Sequence, residues 1–504
     1  VSAPTTPVAC EDTSHGKSAK TVAQRLINST WIKKSSLPSE KNPVSGFHRR
    51  FLLFGCLLAN LAYPNSRTSN RMELNQPRTI RAWCFFDWAN SAYSLVITTA
   101  VFPLYYSAVT ESAFGSRTVR FFGTEADKGA LYSYAIAFSF LLIAALSPVL
   151  SGIADYGGSK KQFMRFFTLL GAVACLSLFF FTGSNIEMGI IASVLASIGY
   201  AGALVFYNAF LPEIATADQF DRVSAKGFSY GYLGSVLLLI VILAMIQQPA
   251  WFGLPDAGIA TRISFVMVGL WWVGFSQITF NGLQERKGHR FHSDLLARGF
   301  KELKKVWKSL QHHRHTRIFL LAFFLYNTGV QTTIYLASLF GSDELKLETG
   351  QLIATILLLQ VVAIAGATLF ARVSDAKGNR FTLSIILIIW MSICTAAYFV
   401  YDATGFYILA AGVGMVMGGV QSLSRATYSK LIPEHTHDTA SFFSFYDVLD
   451  KCSTVLGTMV YGIIIQLSGG SMRNSAIALS IFFMAGLMVL QQVKIPKAHA
   501  QAVA

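Results

Sequence analysis

Apolar runs near 20 residues long recur along most of the chain, broken by polar stretches that carry Gly, Pro, Asp and Asn. Each run is long enough to cross a ~30 Å hydrocarbon core as a helix, and the breaks have connector chemistry. The pattern predicts twelve membrane-spanning helices, over residues 83–107, 131–154, 162–182, 186–210, 225–247, 262–282, 317–340, 349–372, 381–401, 405–428, 441–466 and 473–493. Two longer hydrophilic connections interrupt the series: 108–130, of mixed charge, and 283–316, strongly basic. The second separates a six-span bundle over 72–282 from another over 317–504, which ends in a short tail. The expected fold class is an all-α polytopic membrane protein.

Composition points the same way, with 53% hydrophobic and 13% charged residues over 504 positions; soluble chains carry about a quarter charged residues. The formal charge of +15 invites a nucleic-acid reading, which its distribution argues against. With residue 83 on the cytoplasmic side, about 22 Lys and Arg fall in inner loops and about 6 outside, the positive-inside pattern. Both termini are then cytoplasmic, and no nucleic-acid partner is required. The cysteines are scattered without metal-ligand spacing, so no metal or other cofactor is expected. The first 71 residues are rich in Ser, Thr, Pro and Lys, and Met72 is the first methionine. Within them, Phe51–Tyr63 follows Arg49 and Arg50 and resembles a signal-peptide apolar region too short to span. Residues 1–71 are therefore expected to be a non-native extension, or else a disordered or processed tail.

The basic connection contains DLLARGFKELKKVWKSL (Asp294–Leu310). Leu296, Phe300, Leu303, Trp307 and Leu310 recur at steps of four and three, opposite Lys301, Lys304, Lys305 and Lys308. This predicts an amphipathic helix lying on an anionic inner leaflet, with a regulatory partner site as the alternative. His312, His313 and His315 follow without carboxylate or cysteine support and read as polar loop.

The two halves share a signature. SGIADYGGSKK (Ser151–Lys161) follows span two and ARVSDAKGNRF (Ala371–Phe381) follows span eight, placing Asp155 and Asp375 220 positions apart. LPE ends span four and IPE ends span ten, placing Glu213 and Glu434 221 positions apart. Two landmarks with nearly one offset imply a duplicated six-span unit, its repeats parallel about an axis normal to the membrane. The paired loops (Gly152, Asp155, Gly158, Lys160 and Lys161; Asp375, Gly378 and Arg380) turn tightly on glycine. Asp155 can face the positive N-terminus of a neighbouring helix. A contact of that kind holds one closed state and breaks in the other, as a gate requires; a capped, solvated loop is the plainer alternative.

This 6+6 layout with paired loops resembles the major facilitator superfamily of transporters. Three stretches are similar to its vacuole-effluxer-like branch, the autophagy-related vacuolar amino-acid effluxers and their bacterial permease relatives: MELNQPRTIRAWCFFDWANSAYSLVITTAVFPLYY, LLAFFLYNTGVQTTIYLASLFG and GGVQSLSRATYSKLIPEHTHDTASFFSFYDVLDKCSTVLG. The similarity runs from Met72 to about Val493. One departure is Thr328 ahead of Gly329 in span seven, where the family pattern often has Asp, so no charge role carries over to that position. The resemblance implies that spans one, four, seven and ten surround a central cavity.

Polar stripes fall on those spans. Asp87, Asn90, Ser91, Ser94 and Thr98 share one helical face. Span seven offers Asn327, Thr328, Gln331, Thr332, Tyr335 and Ser338; span four Ser193, Ser197, Tyr200, Tyr207 and Asn208; span ten Gln421, Ser424, Arg425 and Tyr428. Span eleven adds Tyr446, Asp447, Asp450 and Lys451. Polar groups are costly against lipid, so these faces should meet protein or water. The candidate substrate-binding set is Asn90, Ser94, Tyr200, Tyr207, Asn208, Asn327, Gln331, Gln421, Arg425, Tyr446 and Lys451, with Asp87, Asp447 and Asp450 as coupling or inner-mouth carboxylates. Lys451 either neutralises Asp447 within its helix or meets a substrate carboxylate or another helix. Arg425 is a snorkelling anchor or an anion contact, and Asp87 is expected only about 6 Å inside the inner boundary.

No Walker, HExxH or GxSxG motif is present, which argues against direct ATP drive and against an enzyme. The expectation is a monomeric, secondary active transporter of small solutes, amino acids or related metabolites, in a bacterial cytoplasmic (inner) membrane. It would work by alternating access, with efflux and proton coupling as its direction and drive. A transporter-like sensor or scaffold without flux is the competing class.

Overall fold

The computed structural model describes residues 73–496 except 116–117, 285–294, 348, 434–435 and 468–471. The expectations placed on residues 1–71, on Glu434, and on the side chains of Leu296, Phe300, Tyr335 and Ser338 lie outside the described residues.

Helix α1 (Pro77–Phe114) starts on a proline at its first position, where no backbone N–H is needed. It contains a π-helical stretch, Tyr93–Val101, directly after Asn90. Where an irregular connection was expected over 108–130, α1 runs on to Phe114, and strands β1 (Thr118–Phe121) and β2 (Thr124–Asp127) pair as a hairpin. Phe122 and Gly123 form its two-residue turn, both with positive φ (44° and 83°), the conformation that matches strand twist. Asp127 Oδ1 then accepts from the backbone N–H groups of Gly129 and Ala130, capping α2.

The remaining helices are α2 (Lys128–Gly157), α3 (Lys160–Ser177), α4 (Ile186–Ala209), α5 (Phe220–Gln247), α6 (Ala257–Gly282), α7 (Leu295–His312), α8 (Arg314–Leu339), α9 (Thr349–Lys377), α10 (Asn379–Ala397), α11 (Ala403–Leu431), α12 (Thr439–Leu467) and α13 (Met472–Leu490). Among the described residues nine helices are long and apolar enough to cross a membrane: α1 to α6 and α9 to α11. Helices α8, α12 and α13 pack with them, and α12 carries Asp447, Asp450 and Lys451 within about one turn.

Helices α1 to α6 pack chiefly on one another, as do α8 to α13, and the halves meet where α5 lies on α9 and α2 on α12. Under the 220-residue repeat these two contacts are the same contact made twice, so the duplication is spatial as well as sequential. Close helix approach inside the second half rests on small residues. A Cβ at Gly418 of α11 would come 2.1 Å from the Ala363 carbonyl oxygen of α9, so no larger residue fits there.

Helix α7 seats Val306 and Leu310 in the protein core and packs on α2. Trp307, placed by spacing on the apolar face, is instead 53% exposed. Leu310 of the expected stripe is buried, together with Val306, which takes the place expected of Trp307.

Candidate functional site

Helix α1 begins six residues before its apolar run, and Asp87 lies about 15 Å along the helix from Pro77. There it is 4% exposed and faces the other half of the molecule. Tyr207 of α4 donates its hydroxyl to Asp87 Oδ2 at 2.6 Å. Arg425 of α11 reaches the same oxygen through both terminal nitrogens, at 3.4 and 3.5 Å. Arg425 also donates to the Ser224 hydroxyl (2.9 Å), the Ser224 carbonyl (2.9 Å) and Asn208 Oδ1 (3.2 Å). Its guanidinium lies over Phe228 and Trp83, 4.2 and 4.8 Å from the ring centroids. At 3% exposure Arg425 is no snorkelling anchor; it is the cation of a buried ion pair between halves. Gly227 makes room for the pair, since a Cβ there would sit 2.7 Å from Asp87 Oδ2.

One helical turn further along, Tyr232 of α5 donates to Gln421 Oε1 at 2.7 Å, again across the halves. Among the described residues the buried amide of Asn90 has no hydrogen-bond partner at either its nitrogen or its oxygen. Ser94, within the π stretch, meets the hydroxyl of Tyr200, which lies near Lys451, Asp87 and Asp450. A π turn frequently marks a functional site because it re-aims side chains out of the regular ladder.

The second cluster belongs to the second half. Lys451 Nζ is 2.8 Å from Asp450 Oδ2 and 3.5 Å from Asp447 Oδ1, so its nearer partner is the adjacent residue and not the one a turn away. Asn327 and Gln331 of α8 both donate to Asp450 Oδ1 at 2.9 Å. The other Asp447 oxygen is buried without a hydrogen-bond partner among the described residues. Lys451 Nζ also lies 5.5 Å from the Phe140 ring centroid on α2. Tyr446 stacks between Phe323, at 4.1 Å, and Tyr428, at 5.2 Å.

The paired loops latch the two halves to each other. Asp155 accepts from the backbone N–H groups of Ala440 and Ser441, at the N-terminus of α12, at 3.2 and 2.7 Å. Lys160 binds Asp155 (3.0 Å), Glu213 (2.5 Å) and the Thr439 hydroxyl (2.7 Å). The second loop uses different residues. Asp375 meets only the exposed Arg222 in this network, and the buried carboxylate is Asp221, at the start of α5. Asp221 accepts from Ser374 (2.9 Å), Asn379 (2.7 Å) and Lys430 (2.8 Å). Lys161 donates to the Leu283 carbonyl after α6, and Arg380 to the Gln491 and Val493 carbonyls after α13. Gly152 is buried inside α2, while Gly158 and Gly378 turn the chain with φ of 59° and 87°.

Pattern reading passed over Trp83, Ser224, Tyr232, Asp221, Lys430 and Thr439. Asp221 and Lys430 carried a signal, since each is a charge inside the first or last turn of an apolar helix.

The profile of the family described as vacuole effluxer Atg22 like matches residues 75–503. The MFS-type transporter YxiO of Bacillus subtilis is 33% identical over 412 residues, which is 81% of this chain and 93% of YxiO. Among solved structures, the human organic anion transporter MFSD10 aligns with TM-score 0.61 at 14% identity, over 83% of this chain and 100% of its own. FucP in its outward conformation also gives 0.61 at 14% identity, over 84% and 99%. At such identities the structural likeness establishes the fold.

Proposed function

The chain belongs to the vacuole effluxer Atg22-like family and is an integral membrane transporter of the MFS type, and from that premise we propose that it is a secondary active transporter of amino acids or related small zwitterions. The proposed topology has twelve spans, with both termini and the latched end cytoplasmic, in a bacterial cytoplasmic membrane. The solute would bind between the halves and be released by alternating access, in the efflux direction and against protons.

The observation that carries this reading is the polar wall around Lys451. Two carboxylates share one ammonium there, and one Asp447 oxygen has no partner among the described residues. With all three groups ionised the cluster is one negative charge in excess, which suits a substrate ammonium or a proton. Lys451 can answer a substrate carboxylate, and the open amide of Asn90 supplies both a donor and an acceptor. Arg425 and Asp87 are engaged with each other in this closed arrangement and need the halves to part before meeting a solute.

The test is counterflow in proteoliposomes of verified orientation, with labelled amino acids competed by a metabolite panel and driven by proton gradients of either polarity. Exchange of an amino acid that its N-acetyl derivative fails to inhibit is the expected result. Absence of flux for the entire panel under both polarities would sink the transporter reading and favour a sensor.

A further inference from the structure

Helix α7 joins the two halves at the latched end. Val306 and Leu310 fix it on α2, while Lys305 Nζ donates to Asp438 Oδ2 at 2.7 Å. Asp438 immediately precedes Thr439, whose hydroxyl binds Lys160 and Glu213 in the first latch. The Trp307 ring lies 5.7 Å from that of Phe445 on α12. The helix is thus a strap that reaches from the first half to the residue beside the closed gate.

Its outer face is cationic. Lys301, Lys304 and Lys308 are exposed and share one stripe with Lys305. The exposed Trp307 flanks them, an amphipathic ring of the kind enriched at the membrane–water boundary. We propose that this stripe is a binding site for anionic phospholipid headgroups, and that a headgroup competes with Asp438 for Lys305. The proposal rests on the alternating-access reading above. Lys305 is 64% exposed in its pair, and exposed pairs are weak, so a dense row of lipid phosphates can displace Asp438. Once Lys305 turns to lipid, the strap releases the start of α12 and the latched end opens more often. Only Lys305 changes partner between the two states, so the expected change in the open-to-closed ratio is about fivefold, one lysine's worth of surface attraction.

The experiment uses the full chain in nanodiscs of phosphatidylcholine, with or without phosphatidylglycerol. Spin labels are placed at the exposed Gln162 and Lys377 on the two halves, in a Cys10→Ser/Cys56→Ser/Cys452→Ser background, and their separation is measured. Phosphatidylglycerol should raise the weight of the longer distance about fivefold, K301Q/K304Q/K308Q should remove most of the response, and Asp438→Asn should show the longer distance without anionic lipid. Two distances whose weights ignore lipid would overturn the lipid site and leave alternating access standing. One unchanging distance in every condition would overturn both. Free phosphate reproducing the shift would exclude the lipid as the ligand.

Discussion

Replacing Asp87 by Asn tests the ion pair that ties α1 to α11. The carboxylate oxygen lies 3.4 Å from Arg425 Nη1, and two unit charges at that distance interact by about 5 kcal/mol at an effective dielectric constant near 20. Arg425 keeps Ser224, Asn208 and the faces of Trp83 and Phe228 when the carboxylate is gone. These offset part of the loss, while a guanidinium left without a counter-charge in a dry site adds to it. The net expectation is about 3 kcal/mol against the closed state, at the low end for breaking a buried pair. Arg425→Gln should cost a comparable amount, and the double variant less than the two together, because neither charge is then stranded. Chemical denaturation of purified protein, paired with label distances across the latched end, reads both stability and opening. Strict additivity of the two single variants, or an Asp87→Asn protein as stable and as closed as the parent, would refute the reasoning.

Other variants separate the remaining roles. If Asp87 also carries a coupling proton, Asp87→Asn abolishes gradient-driven uptake and spares counterflow; unchanged gradient-driven transport removes it from coupling. Asp221→Asn, which strips the charge from a buried acceptor of three side chains, should destabilise the closed end by about 2 kcal/mol or more, whereas Asp375→Asn should change it by less than about 1 kcal/mol because its partner is exposed. Label distances across that end would rank the two, and the opposite ranking would reject the assignment of the second latch. Lys451→Gln should raise the half-saturating concentration for a zwitterion about tenfold or more, as loss of a charge-assisted contact predicts, with little change for a solute lacking a carboxylate; equal effects on both would deny the contact.

The apolar runs were legible because hydrocarbon imposes its thickness on every spanning helix, and a duplication leaves equal offsets between landmarks. The stripe from Asp87 to Thr98 was legible for a related reason, since polar groups in such a helix must share the face that avoids lipid. Helix ends were less legible: α1 starts at Pro77, in a polar turn with no hydropathy of its own. The partner of Arg425 lies 338 positions away, beyond any periodicity. The choice between lipid anchor and anion contact therefore waited on the packing of α5 against α1 and α11. The β1–β2 hairpin was hidden because four-residue strands carry too few alternations to stand out from a polar loop.

The paired loops carry the sharper lesson. Their sequences repeat an Asp, a Gly and a basic residue, yet the second latch moves its carboxylate to Asp221 and its cation to Lys430, leaving Asn379 near the place Lys160 holds in the first. What the fold requires at each latch is that a buried cation finds a carboxylate, and not that either charge sits at a fixed position. The same requirement divides the buried pairs into two kinds. Arg425–Asp87 and Lys430–Asp221 cross between halves, so a parting of the halves at that end would break them. Lys451, Asp447 and Asp450 lie on one helix, steadied by Asn327 and Gln331 of the same half. A solute carried through both states needs contacts that survive the parting of the halves. By that criterion the crossing pairs are suited to gate, and the Lys451 cluster to bind.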